Sequence, residues 1–263
     1  MTILTNDALL AVAERAGVQT LPLVLGAGPR QDSYREWQAM RERAVTDLTA
    51  AGILDDEGEV EPAVAQALSV LAQPERELVA RSFAAGRTLR FCLAGRAGQH
   101  ALAVRTGDIF EIGYIWCDGS PGALARPLLA ALGPAEPAEV TGFNAPAGEL
   151  AERLDPAQGT GDFADAFYAL GVADRDATLL AAAFASCRGV TEIVAYSHDY
   201  GVATRAPGAV AVYDTGRGRL VAAPMVSPDQ RIWSTVTTGT DHRVTQAIAT
   251  LLEGLPGGRW TAP

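Results

Sequence analysis

Three short stretches of this 263-residue chain carry residue types that could do chemistry. Asp214-Thr215-Gly216, preceded by Val210 and Val212, is the triplet of aspartic proteases, whose reaction needs two carboxylates sharing one proton. The triplet occurs once, so a second carboxylate would have to come from a dimer, and Arg217-Gly218-Arg219 follows where an apolar strand is expected. A dimeric aspartic hydrolase using Asp214 is therefore the alternative reading. A hairpin turn built from Asp, Thr and two glycines accounts for every residue and is favoured. Ser197-His198-Asp199 places three triad residue types side by side, but a nucleophile triad is assembled across space, and no Gly-x-Ser-x-Gly elbow accompanies it. Leu25-Gly26-Ala27-Gly28 resembles the start of a dinucleotide fingerprint; Gln31 stands where a small residue is required and Pro29 breaks the turn, which favours a loop.

Metal chemistry finds no better footing. His100, His198 and His242 form no His-x-His or His-x-x-x-His pair, and Cys92, Cys117 and Cys187 form no Cys-x-x-Cys pair and have no zinc-ligand spacing. The cysteines are expected as reduced, mostly buried thiols. No catalytic residue, cofactor or metal is assigned, and a binding protein becomes the leading reading.

Composition narrows the partner. Hydrophobic residues make up 48% and charged residues 20%, ordinary values for a globular chain that can bury a sizeable core. Lys and Arg total 21 against 31 Asp and Glu, a formal charge of −10. Such a field repels phosphate backbones and anionic lipid, so neither nucleic acid nor membrane is expected. The N-terminal MTILTNDALL lacks a basic leader region, and no stretch reaches the ~20 apolar residues of a bilayer span. A cytoplasmic location is expected, with the oligomeric state, monomer or weak dimer, left open.

The elements that must position a binding surface come in two copies. In the first, a helix carrying Leu78, Val79 and Phe83, from after Pro74 to about Ala85, leads into strands at Leu89–Leu93, Leu102–Val104 and Ile109–Tyr114, then an apolar helix. In the second, a helix with Leu179, Leu180 and Phe184 precedes strands at Ile193–Val194, Val210–Val212 and Leu220–Val221, then the helix Val244–Leu252. Short turns at Gly95–Gly98 and Thr106-Gly107-Asp108 imply antiparallel meander pairing. Ahead of the first copy lie a short helix from Asp7 to Ala16, an edge strand at Leu21–Leu25, a long helix from about Asp32 to Leu48 and a helix opened by Pro62. Residues Gly133–Pro156, with little periodicity, are expected as a surface connection. The expectation is an α+β fold of pseudo-twofold helix-strand-strand-strand-helix halves, residues 1–135 and 157–263 of one domain. Tyr114, Trp116, Trp233 and Trp260 are each core candidates before they are interface anchors, although Trp116 and Trp233 are expected late in corresponding strands.

Against this background the C-terminal series Val210-Ala211-Val212-Tyr213-Asp214-Thr215, Gly218-Arg219-Leu220-Val221, Pro224, Trp233, Gly239-Thr240, Arg243, Leu251-Leu252, Leu255-Pro256 and Trp260 resembles the EspG family, the ESX (type VII) secretion-associated chaperones of mycobacteria and related actinobacteria. Leu21–Leu25, Ala51-Gly52-Ile53, Leu68–Pro74 and Arg87 are similar to the same family's pattern, so the resemblance spans about residues 6–260. It implies a central antiparallel sheet flanked by two helical bundles. It also implies a cytosolic chaperone that binds the hydrophobic helical tip of a PPE protein within a PE–PPE heterodimer. The binding surfaces implied are the central sheet, an adjoining loop between strands, assigned to Gly95–Gln99, and the C-terminal helical bundle. Phe91, Arg96, Gln99, Tyr114, Trp116, Arg217, Arg219, Trp233 and Val236 are the partner-binding candidates, with Arg96, Arg217 and Arg219 offered to acidic groups of the partner.

Overall fold

Period-two alternation of side chains governs the middle of both halves, and a single large sheet results. The computed structural model describes residues 1–84, 86–258 and 260. It begins with β1 (Thr2–Thr5), α1 (Asn6–Arg15) and a 3-10 turn at Leu23–Leu25, followed by α2 (Tyr34–Ala50) and α3 (Pro62–Ala72). Strands β2 (Arg76–Ala84), β3 (Arg87–Arg96), β4 (Gln99–Thr106) and β5 (Ile109–Ile115) precede α4 (Pro121–Leu132). The plan then restarts with β6 (Phe143–Pro146), α5 (Ala147–Leu154), α6 (Thr160–Ala169) and α7 (Asp174–Ala185). Strands β7 (Cys187–Asp199), β8 (Val202–Arg205), β9 (Val210–Thr215), β10 (Gly218–Val226) and β11 (Ile232–Thr238) lead to α8 (Asp241–Glu253).

The strand order is β1-β5-β4-β3-β2-β7-β9-β10-β11-β6, with β8 added alongside β7. β1 to β5 and β6 to β11 thus meet as mirror sequences across the antiparallel β2–β7 pair. Local chemistry sets the helix ends. Ser33, Ser120 and Thr240 accept from the amides of Glu36, Ala123 and Arg243, each satisfying an orphan donor of a first turn, and Pro62 opens α3 where no amide is needed.

The two sheet faces are covered differently. Leu78, Ala80, Leu89, Phe91 and Leu93 pack with Leu124 and Leu128 of α4 and with Val244, Ile248 and Leu251 of α8. On the other face Val79, Cys92, Ala94 and Ala103 meet Leu9, Leu48 and Leu68 from α1, α2 and α3. Farther along that face Leu220, Ala222 and Val236 meet Leu150, Phe167 and Leu180 from α5, α6 and α7. Two helical bundles therefore share one face, and α4 with α8 occupies the centre of the other.

Three expectations are corrected. The segment carrying Leu78, Val79 and Phe83 is a strand, because nine consecutive positions pair with β3 on one side and with β7 on the other; Ala85, the expected helix end, lies outside the described residues. A short apolar run cannot distinguish helix from buried strand by periodicity alone, and here the hydrogen bonds on both edges decide. Leu21–Leu25 forms no strand; Leu23–Leu25 is the 3-10 turn, stopped by Gly26 in the left-handed region at φ 58°. Finally, Gly133–Pro156 is more than a connection. β6 closes the sheet against β11 and α5 joins the second bundle, so the repeated plan begins at Phe143, ahead of residue 157.

Candidate functional site: a groove on the central strands

Between the two bundles the β2–β7 pair is left partly open. Strand register puts Glu77, Val79, Arg81 and Phe83 of β2 opposite Tyr196, Val194, Glu192 and Val190 of β7. Over one end of this strip lies a groove of about 830 Å³. Its floor is Val79, Val194 and Tyr196, one wall is the Thr20–Val24 loop with the end of α3, and the other is the β7–β8 hairpin. Two large apolar side chains stand unburied on these walls: Leu23 is 92% exposed and Tyr200 is fully exposed.

The walls are fixed by specific bonds. Arg90 Nη1 donates to the Val24 carbonyl at 3.0 Å, and Arg105 Nη1 donates to the carbonyls of Leu25 and Gly26, each at 2.7 Å. Gly26 takes a left-handed φ that favours glycine, and a Cβ there would fall 2.7 Å from Arg90 Nη1, so the Arg90 side chain would have to shift. The carbonyls of Val24, Leu25 and Gly26 thus face guanidinium groups, and Gly28 bonds the Asn6 side-chain amide through both its backbone N–H and its carbonyl, so the segment is not the amide cradle a dinucleotide phosphate needs. Arg105 also lies 5.0 Å over the ring of Phe110. Burial, then the charges of Arg30 and Arg90, pull its guanidinium below the usual range.

At the groove's other end Glu77 is nearly buried. Its Oε2 lies 2.7 Å from His198 Nε2, and its Oε1 accepts from the Cys92 thiol at 3.7 Å. Burial and then the Glu77 charge push Cys92 well above the ordinary thiol range, so it stays a protonated donor. His198 closes β7 with a partner, as an ordinary strand-end histidine. Cys92 and Cys117 are buried and Cys187 is exposed. Among the described residues no His, Cys, Asp or Glu group has the arrangement of a metal site.

The residues proposed from sequence are not gathered at one place. Phe91 and Val236 are wholly buried, in the cores under α4–α8 and under the second bundle respectively. Arg219 is a correction: only 2% exposed, it donates from Nε and Nη2 to the two oxygens of Asp214, at 2.6 and 3.3 Å, and from Nη1 to the Gly133 carbonyl. It has no face free for a partner, and Asp214 is engaged in a bidentate pair that ties the β9–β10 hairpin together. Arg217 is exposed at that hairpin's turn. Arg96 and Gln99, half-buried, flank the Ala97-Gly98 turn. Tyr114 lies on β5, and Trp116, 81% exposed, follows the strand. Trp233 is the second residue of β11 and half-buried, early in the strand and not late. Trp260 is a core residue, donating from Nε1 to His100 Nε2 at 2.8 Å.

Of the groove residues, Val79 and Arg81 are hidden from the sequence by the helix expected from after Pro74 to about Ala85, and Leu23 by the edge strand expected at Leu21–Leu25; Tyr196 and Tyr200 carry no local signal of a site. The alternation of Glu77, Val79, Arg81 and Phe83 was the available signal.

Comparison with known proteins accords with this architecture. The pattern of the EspG family matches residues 5–250. The chain is 34% identical over 263 residues to the ESX-1 secretion-associated protein EspG1 of Mycobacterium tuberculosis, covering 97% of this chain and 88% of that protein. It is 27% identical over 259 residues to the ESX-3 secretion-associated protein EspG3 of Mycolicibacterium smegmatis, covering 98% and 88%. In fold it is similar to the Mycobacterium tuberculosis type VII secretion system chaperone EspG5, solved in complex with the PE25-PPE41 dimer, with a TM-score of 0.81 at 17% identity over 98% of each chain. With a match along nearly its whole length and the doubled sheet that goes with it, this chain belongs to the EspG family.

Proposed function

We propose that this chain is a cytosolic, secretion-specific chaperone that covers the hydrophobic helical tip of a PPE protein in a PE–PPE heterodimer and keeps that client soluble for ESX type VII secretion. The observation that carries the reading is the open strip of the central sheet between two helical bundles, in a chain of the EspG family. Its apolar floor and exposed Leu23 and Tyr200 suit the capture of an apolar surface. The driving term is apolar burial at about 25 cal/mol/Å², reduced by the cost of immobilising both partners. No bond is made or broken in this mechanism; release requires only that secretion compete with a reversible contact. Among the described residues no helix is long and apolar enough to cross a membrane.

Co-expression with PE–PPE pairs encoded in the same genome tests this reading. A soluble complex with one copy of each protein on size exclusion is expected with at least one pair. Separate elution of the chain from every candidate pair contradicts it.

A further inference from the structure

We propose that the groove between the Leu21–Leu23 loop and the β7–β8 hairpin selects a client segment that is apolar and carries a carboxylate, with Arg81 as the group that meets the acid; this rests on the chaperone reading above. The charge argument starts from the sheet register. Arg81, Arg90 and Arg105 stand directly opposite one another on β2, β3 and β4, with Glu192 next to Arg81 on β7. Like charges in direct opposition across strands are unfavourable, so each guanidinium needs a partner. Arg90 and Arg105 have theirs in the loop carbonyls of residues 24–26. Glu192 leans to Arg205, 3.6 Å away. Arg81 is left exposed on β2 beside the groove floor, and its guanidinium has no bonded partner among the described residues. Of this row only Arg81 lines the groove; the groove's carboxylates, Glu77 and Glu192, are engaged with His198 and Arg205, so in a chain of net charge −10 Arg81 is a local positive group beside an apolar floor, and complementarity calls for an acidic group there.

Tyr200 gives an independent reason to place an occupant in the groove. It sits at φ 46° and Gly201 at φ 79°, in the two-residue turn between the paired residues Asp199 and Val202. Such turns favour Asn or Asp before Gly, and a bulky aromatic in the left-handed region is strained. Here the ring is fully exposed, so the strain is not offset by packing within the chain. Strain retained in this way is a mark of function. On the opposite wall Leu23 is likewise exposed, just ahead of the three carbonyls that Arg90 and Arg105 bind.

The test uses the PE–PPE pair that co-purifies with the wild-type chain, with affinities by isothermal titration and stabilities by thermal melting. Tyr200→Asn is expected to melt no lower than wild type yet bind at least tenfold more weakly, a split that a purely structural role does not give. Arg81→Glu is expected to lose at least tenfold in affinity with an unchanged melt, and reversing one acidic side chain of the client tip to Lys restores it. Wild-type affinity in either variant overturns the proposal while leaving the chaperone reading intact. Saturable binding of palmitate at the groove, with undiminished client affinity in both variants, also overturns it, by assigning the site to a fatty acid. If wild type itself captures no pair, the chaperone reading falls, and this assignment with it.

Discussion

The two halves of this molecule follow one plan and differ where the groove is built. In the first, β2 turns directly into β3 beside Gly86, and the loop after α1 is drawn onto the sheet by Arg90 and Arg105. In the second, β7 runs 13 residues and carries the extra strand β8, whose hairpin rises at the opposite end of the central pair. The shared elements bury the core. The unshared ones, the clamped loop and the added hairpin, form the two walls of the groove. Duplication supplies the sheet floor, and departures from symmetry supply the walls of the candidate site.

The sharpest way to break this comparison is to exchange the roles it assigns. Phe91, in the symmetric core, is expected to cost about 4 kcal/mol in urea unfolding when changed to Ala, whereas Phe83→Ala, on the exposed strip, changes stability by no more than about 0.5 kcal/mol. Comparable losses in the two would erase the distinction between exposed strip and core. Next in size, Asp214→Ala leaves the buried Arg219 guanidinium without its carboxylate and is expected to cost about 3 kcal/mol. A catalytic Asp214 would instead leave stability nearly untouched.

The Trp260–His100 contact gives a third test, confined to the α4–α8 side. Burial lowers the His100 pKa below the ordinary 6.5, against the opposing charge of Asp118, and the accepted bond from Trp260 requires neutral Nε2. The unfolded chain therefore takes up this proton first as pH falls. The contribution is fully present above pH 6.5 and is lost as pH drops through that value toward the lower folded-state pKa. Unfolding followed at a series of pH values should show this slope, and His100→Gln should lack it. Trp260→Phe, which leaves the buried acceptor unpaired, is expected to cost about 2 kcal/mol at neutral pH.

The smallest effect compares the two hairpin turns. Ala97, at φ 48° before Gly98, has the same left-handed geometry as Tyr200. Ala97→Asn is expected to stabilise by about 0.5 kcal/mol without changing client affinity. A binding loss there as large as that of Tyr200→Asn would remove the hairpin's special status.

Much of this was legible in the residues. Leu89-Phe91-Leu93 alternate cleanly, the Ala97-Gly98 and Gly107 turns are local, and the Val244–Leu252 stripe has helical spacing, so each is encoded within a few positions. The doubled order followed from these. What failed depends on distant partners. Glu77–Phe83 becomes a strand because β3 and β7 bond it from both sides, and Leu23–Leu25 becomes a turn because arginines 66 and 80 residues away take its carbonyls. Arg219 gave no local sign of burial; its role follows from Asp214 across the hairpin and Gly133 from another segment. With β2 expected as a helix, the floor of the groove cannot be assembled from sequence, and the residues that sequence proposes are conspicuous aromatics and turn arginines.

Hydrogen–deuterium exchange on the wild-type chain, alone and with its co-purified PE–PPE pair, tests the central claim most directly. Added protection concentrated in the Leu21–Leu23 loop, β2, β7 and the Tyr200 hairpin is the expected result. Protection confined to the outer strands around Trp116 or Trp233, with the central pair unchanged, would contradict it.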